Sequence, residues 1–352
     1  MLNATSWFIA IQGDLPALQW LVEIYLLDER LSAAVYAAAA NGHVEIIEWL
    51  HKFHRERIYW NCIEISKAMT WAAGNGHVEV VKWLHAQRSE GCTHLAMDKA
   101  AANGFLDVVQ WLHAYRSEGC SSSALDGAAR EGHLGIVQWL HVHRDEGCTK
   151  LAMDYAASYG HLEVLKWLHA NRTEGCTPAA MDWAASYGHL DVVQWLHSNR
   201  SEGCTAVAMT AAAMRGHLGV VRWLHCNRTE GCLEDTLSKV VATGNIEVVK
   251  WIYENRSEVD SRSAMKEAII HDRFEIVVYL HSKDVGIGDF ADTTLYGPSW
   301  ELTQWLVKKY AEGISGCSFE IPTWDYRFND WCRQASMRRI NHDEDVTLWL
   351  YD

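Results

Sequence analysis

Glycine recurs every 28 residues through the middle of this chain: Gly76, Gly104, Gly132, Gly160, Gly188, Gly216 and Gly244, with Asp272 in the same place one step later. A tryptophan seven residues downstream keeps the same step, from Trp83 through Trp111, Trp139, Trp167, Trp195 and Trp223 to Trp251, and then Tyr279. A whole pattern repeated at constant period marks a repeat array, in which each unit contacts only its neighbours and chain length stops counting domains. The ends are looser. Gly42 and Trp49 form a unit 34 residues before the next, so residues 51–63 carry an insertion, and Gly13 with Trp20 forms another. Downstream, SWELTQWL (299–306) and DEDVTLWL (343–350) read as degenerate second helices.

Each period reads as two helices. In residues 177–203, Thr177 is placed to cap the first turn. The alanine-rich segment 179–187 favours helix. Gly188 ends it as a residue that accepts positive φ. The second helix follows to about Asn199, with Leu190, Val192, Val193, Trp195 and Leu196 at three- and four-residue spacing. The pair Ala184–Ala185 lets first helices of adjacent units approach closely, while tryptophan and paired valines fill the wider space behind. The expected fold is therefore all-α, a curved solenoid of stacked helix–turn–helix units with about 11–12 helical pairs. It is expected as one body over 1–352: diverged repeats in 1–63, regular repeats in 64–282, and diverged repeats with a cap in 283–352.

GHLEVLKWL at 160–168, preceded by AMDYAASY, resembles the ankyrin repeat, as do GHVEVVKWL (76–84), GHLDVVQWL (188–196), GHLGVVRWL (216–224) and GNIEVVKWI (244–252). The resemblance implies a recognition scaffold for other proteins. Two departures stand out. The period is 28 rather than the 33 of that family, and the missing residues fall where the family projects a β-hairpin, so little or no β-structure is expected. The family's TPLH histidine is replaced by Asp98, Asp126, Asp154 and Asp182, or by Thr210, which removes its usual turn-bracing bond.

Net charge is −14, opposite to what phosphate tracking needs, so nucleic acid is not expected as a partner. The acidic field favours partners with a basic surface. No stretch of about 20 apolar residues is present to span a bilayer. Residues 1–27 lack the basic start of a signal peptide. A cytoplasmic, intracellular monomer is the expectation.

Several ladders look like chemistry. Cys92, Cys120, Cys148, Cys176, Cys204 and Cys232 recur one period apart. Equivalent positions in neighbouring units lie about 10 Å apart, beyond the ~7 Å limit for a disulfide, so they read as small buried hydrophobes. Histidines form two ladders, one at His77, His133, His161, His189 and His217 and one from His85 to His225. No CxxC or HExxH accompanies them, so they read as helix caps or loop braces, with no metal or other cofactor expected. The tryptophans and the methionines Met69, Met97, Met153, Met181, Met209 and Met265 read as core. Arginines (Arg88 to Arg256) and glutamates (Glu90 to Glu258) run in parallel rows and are expected to pair between units.

Positions constant from unit to unit build the stack; positions that vary are free to carry specificity. Before the alanine pair stand Lys99, Gly127, Tyr155, Trp183 and Ala211. After it stand Asn103, Arg130 and Glu131, Tyr159, Tyr187, Met214 and Arg215. Aromatics and arginine dominate interface energies. The candidate partner-binding residues are therefore Lys99, Asn103, Arg130, Glu131, Tyr155, Tyr159, Trp183, Tyr187, Met214 and Arg215, on a concave surface of first helices and loops. The leading function is a protein-binding scaffold or adaptor and not an enzyme. One alternative is an enzymatic or enzyme-recruiting activity in 283–352, around Trp324, Asp325, Tyr326, Asp330, Trp331 and Cys332. Another is a structural array without a dedicated ligand.

Overall fold

The computed structural model describes residues 2–25, 31–58, 62–87, 93–257, 259–286, 294–296, 299–310, 318–322, 338–342 and 345–349. Helices come in sequential pairs, a first helix A and a second helix B. The pairs are α1 (Leu2–Gln12) with α2 (Leu15–Ile24), α3 (Ser32–Ala40) with α4 (Val44–Phe53), and α5 (Cys62–Gly74) with α6 (Val78–Gln87). Next come α7 (His94–Ala102) with α8 (Leu106–Tyr115), α9 (Ser122–Arg130) with α10 (Leu134–His143), and α11 (Lys150–Ser158) with α12 (Leu162–Asn171). The series continues with α13 (Pro178–Ser186) and α14 (Leu190–Asn199), α15 (Ala206–Met214) and α16 (Leu218–Asn227), α17 (Thr236–Thr243) and α18 (Ile246–Asn255), and α19 (Ser261–Ile270) and α20 (Phe274–Ser282). A 3-10 turn at Arg55–Arg57 lies within the insertion, and α21 (Trp300–Tyr310) follows the last pair.

By packing, the chain divides into two units: Met1–Ala184 with Asp191–Gly203, and Ala185–Leu190 with Cys204–Asp352. In the first, helices A pack on helices A: α1 on α3, α3 on α5, α5 on α7, α7 on α9, and α9 on α11. The alanine pairs and methionines of helix A are buried, as are the two β-branched residues and the leucine of helix B: Ala128, Ala129, Ile136, Val137 and Leu140 in one repeat, Ala156, Ala157, Met153, Val164, Leu165 and Leu168 in the next. Each such branched side chain contributes roughly 1.5–3 kcal/mol on burial. Gly127 shows how close the A helices come, because a Cβ there would sit 2.7 Å from the Ala102 methyl. In the second unit α15 packs on α17 and α17 on α19, over a core of Met209, Ala212, Ala213, Val240, Val241, Val248 and Val249.

The helix–turn–helix reading holds through α20, and the shortened connections between these repeats carry no strand among the described residues. SWELTQWL folds as helix α21, and the Ser299 amide (2.9 Å) and hydroxyl (2.8 Å) both donate to the Asp272 carboxylate. DEDVTLWL does not fold as a second helix. Strand β4 (Asp345–Trp349) pairs antiparallel with β3 (Arg338–His342) and β2 (Ser318–Pro322), and β2 pairs parallel with β1 (Thr294–Tyr296), in the order β1-β2-β4-β3. The segment 345–349 alternates apolar Val346 and Leu348 with Asp345 and Thr347, a period-two pattern with a β-branched residue that suits a strand. Its Trp-Leu ending had imitated helix B. Trp324, Asp325, Tyr326, Asp330, Trp331 and Cys332 lie outside the described residues, as do Arg88, Glu90, Cys92 and Glu258.

Candidate functional site

Within each unit, three ladders brace helices A of the regular repeats and leave a variable row of residues on their outer face. The first is made by the aspartates that replace the family histidine. Asp98, Asp126 and Asp154 are buried, and each carboxylate reaches the N-cap residue of the following repeat. The amide of Ser121 donates to Asp98 at 2.8 Å and its hydroxyl at 2.7 Å. Thr149 does the same to Asp126 (2.8 and 2.7 Å) and Thr177 to Asp154 (2.7 and 2.7 Å). The capping oxygen then accepts an amide of its own helix, as Thr149 does from Leu151 at 3.1 Å. Burial pushes the Asp126 and Asp154 carboxyls above their ordinary range, and the threonine bonds oppose it. In the second unit Thr210 takes over: its hydroxyl oxygen accepts the Leu233 amide at 3.0 Å and meets the Thr236 hydroxyl at 2.7 Å.

The second ladder joins the residue before helix B to the preceding repeat. Nε2 of His43 bonds the Ile11 carbonyl at 2.9 Å, and Nε2 of His77 bonds the Ala40 carbonyl at 3.0 Å. These carbonyls belong to the end of a helix A, where no intrahelical donor remains. The histidines thus brace a neighbouring repeat; His43, His133, His161 and His217 make no side-chain cap bond to helix B. The repeated glycine makes room for them. Gly132 stands at φ +79, and a Cβ on it would lie 2.6 Å from the His161 ring.

The third ladder runs along the loops. The rows of arginine and glutamate pair inside one loop rather than between repeats: Arg144 with Glu146, Arg172 with Glu174, Arg200 with Glu202, Arg228 with Glu230. The Arg144 bond holds the Glu146 carboxyl below its ordinary range, and Arg200 does so for Glu202. The arginine crosses to the previous repeat through a second nitrogen, meeting Nδ1 of histidine: Arg116 to His85 at 3.2 Å, Arg172 to His141 at 3.3 Å, Arg256 to His225 at 3.1 Å. Arginine only donates, so these imidazoles accept at Nδ1. Each sits edge-on to the tryptophan of the next helix B, as His85 does to Trp111 (5.3 Å) and His141 to Trp167 (5.2 Å). Those tryptophans are half-buried, so they form the wall of this ladder while valines and leucines supply the core. Sequence periodicity located every member of the ladder; its bonds follow only once adjacent repeats are superposed in space.

What remains on helix A is the variable row. In the first unit Lys99 is exposed, with its ammonium 4.3 Å from the Trp71 ring centre. The Asn103 amide donates to the Gly74 carbonyl at 2.6 Å, and Arg130 pairs with Glu131 at 2.7 Å. Tyr155 and Trp183 lie ring on ring, 5.9 Å between centres and 11° from parallel. Tyr159 stacks on His161 at 6.5 Å. In the second unit the Arg215 guanidinium lies 4.2 Å over the Tyr187 ring, and Met214 is exposed. The fold brings together Tyr155 with Trp183, Arg130 with Glu131, and Tyr187 with Arg215. It also adds Trp71, half-exposed and in register with Lys99 and Tyr155, which the same 28-residue step would have found.

The remaining ladders supply packing. Cys120, Cys176 and Cys232 are buried free thiols, Cys148 and Cys204 are half-buried, and Cys226 is exposed. Burial pushes the thiols of Cys120, Cys148 and Cys176 up to about 11. Among the described residues no three His, Cys, Asp or Glu side chains converge as a metal requires, and no helix is long and apolar enough to cross a membrane.

The family described as ankyrin repeats (3 copies) matches the chain in six overlapping windows, 7–95, 36–126, 69–153, 96–176, 125–210 and 153–235. No curated protein matches it. Ankyrin repeats are in general protein–protein interaction modules, and the family is typically non-enzymatic. Helix pairs at a fixed step, buried alanine pairs and the Gly-His turn stand behind that match, and the chain belongs to the ankyrin-repeat family.

Proposed function

We propose that this chain is a non-enzymatic adaptor that holds a partner protein on the outer face of its A helices and the adjoining turns. The observation that carries the reading is the parallel pair of rings, half-buried Tyr155 and exposed Trp183, one on each of two A helices whose methionine and alanine faces are buried in the stack. Rings stacked on one another are already ordered, so less side-chain entropy is lost when a partner covers them. Lys99, Asn103, Arg130, Glu131 and Tyr159 flank them in the first unit, and Tyr187, Met214 and Arg215 offer a second set in the other. The net charge of −14 favours a partner with a basic surface. A monomeric, intracellular adaptor is consistent with free thiols in number. In affinity capture with the intact chain, Trp183→Ala is expected to weaken the captured partner by at least tenfold, the loss typical of a buried aromatic anchor. Unchanged affinity for Trp183→Ala and Tyr155→Ala overturns the assignment.

A further inference from the structure

The loop ladder ties neighbouring repeats through a bond that histidine makes in only one protonation state. Nη1 of an arginine meets Nδ1 of a histidine one repeat back. In the first unit these pairs are Arg116 with His85 (3.2 Å), Arg144 with His113 (3.5 Å), Arg172 with His141 (3.3 Å) and Arg200 with His169 (3.4 Å); in the second, Arg256 with His225 (3.1 Å). A guanidinium accepts nothing, so Nδ1 keeps its lone pair and the imidazole is neutral. The arginine is held from its other side. Arg144 grips Glu146 through Nε (3.1 Å) and Nη2, and Arg200 grips Glu202 with the same two nitrogens (3.2 Å at Nε). Its seat is tight: a Cβ on Gly147 or Gly175 of the preceding loop would lie 2.6 or 2.7 Å from Nη2 of Arg172 or Arg200. The imidazole has a wall of its own, standing edge-on to a tryptophan of the next helix B: His113 to Trp139 (5.1 Å), His141 to Trp167 and His169 to Trp195 (5.2 Å each).

We propose that these rungs are a pH-sensitive coupling between repeats: protonation of the histidine releases the arginine's hold on the preceding repeat, while the arginine keeps its glutamate and its loop stays closed. A proton on Nδ1 sets donor against donor and cation against cation at contact distance. The groups facing each histidine decide the sign. His113 meets Arg144, the Glu146 paired with it, the His143 ring of α10 at 6.0 Å between centres and, bonded to the arginine, the Cys120 thiol. Arg172, Glu174 and Cys148 form the corresponding set at His141, and Arg200, Glu202 and Cys176 at His169. The glutamate attracts an imidazolium, as does the carbonyl end of helix B, but that carboxylate is already taken by the arginine in contact with the ring. The arginine bond holds the Glu146 and Glu202 carboxyls below their ordinary range, so the loop pair outlasts the rung in acid. Each rung therefore stabilises the stack above the ordinary histidine value of about 6.5 and is withdrawn as pH falls below it. What is withdrawn is a tie between repeats, not a bond within one.

Two measurements on the full chain test the coupling at about pH 7.5 and about pH 5.5, either side of the ordinary histidine value. Long-range proton–nitrogen NMR at the higher pH reads the tautomers, and His113, His141 and His169 are expected to carry their proton on Nε2. At the lower pH the Nε–H resonances of Arg144 and Arg200 are expected to persist as these histidines protonate. Urea unfolding is then compared between the wild type and a chain carrying His113→Asn, His141→Asn and His169→Asn. The asparagine oxygen stands where Nδ1 stood and takes no proton, so its bond to arginine survives acid. Burial also holds His77 and His217 below the ordinary value, and that share of the acid loss is common to both proteins. The gap between the urea midpoints at the two pH values is expected to narrow by roughly half in the variant, with unchanged circular dichroism. A proton on Nδ1 at the higher pH, loss of the arginine Nε–H signals together with histidine protonation, or an equal gap in the wild type and the folded variant each overturns the proposal. Should the variant not fold, the two NMR readouts on the wild type decide it alone. No rung residue belongs to the partner-binding row, so the outcome is independent of the adaptor reading.

Discussion

Asp126 joins two repeats with one carboxylate. Its oxygens take both donors of Thr149, and that threonine in turn caps helix α11. Asp126→Ala removes the buried acceptor of the Thr149 amide and hydroxyl, which lie at the exposed end of this contact, and is expected to lower unfolding stability by about 1.5–3 kcal/mol, as for bonds to a charged group; denaturant titration measures it. Replacing the family histidine therefore moved the brace from one partner to another. The substitution was legible in the sequence, and so was the constant 23-residue step from Asp98, Asp126 and Asp154 to Ser121, Thr149 and Thr177. The direction of the bond was not, because it spans two repeats. Cysteines make a second residue-scale test. With their thiols pushed up to about 11 from an ordinary 9.0, Cys120, Cys148 and Cys176 keep their protons longer in the native state than in the unfolded one. Their contribution is present below pH 9 and is lost as pH rises through 11. At pH 8, iodoacetamide followed by peptide mapping is expected to label exposed Cys226 well before these three.

At the scale of the element, glycine separates positions that constrain the fold from positions that do not. Gly132 combines φ +79 with the His161 ring 2.6 Å from any added Cβ. Gly132→Ala is expected to cost about 2–4 kcal/mol through left-handed strain and overpacking. Gly135 lies exposed inside helix α10 with nothing within 4 Å of an added Cβ, and Gly135→Ala is expected to stabilise by up to about 1 kcal/mol. Thermal melts of the two variants, which differ by three positions, read opposite signs. Helix boundaries were legible for the same reason the glycines were, since each turn repeats in sequence what it does in space. The C-terminal strands were not. A Trp-Leu ending matched helix B by residue type, while the alternation in Asp345–Trp349 carried the deciding period. The stacked rings of Tyr155 and Trp183 were legible as variable residues in register, and their contact follows from the close approach of A helices that Ala-Ala pairs permit.

Within each unit of the molecule, the three ladders link a repeat only to the ones beside it, and most of their rungs recur 28 residues later. Stability then accrues repeat by repeat with nearest-neighbour couplings. An aspartate finds its threonine, a glycine its histidine and an arginine its histidine wherever one whole period is present on either side. Removing residues 134–161 takes out one full step and joins His133 to Leu162, leaving each ladder in register with one rung fewer. Removing 134–147 takes half a step and joins His133 to Cys148, so one repeat loses its second helix and the rungs that span the cut are lost, while those downstream keep their register. Far-UV circular dichroism and urea unfolding of these two deletions test the nearest-neighbour account most directly. The expected result is unchanged helix content per residue and one cooperative transition for the 28-residue deletion, with lower helix content and a broadened or two-step transition for the 14-residue one. Equal damage from the two deletions would contradict it.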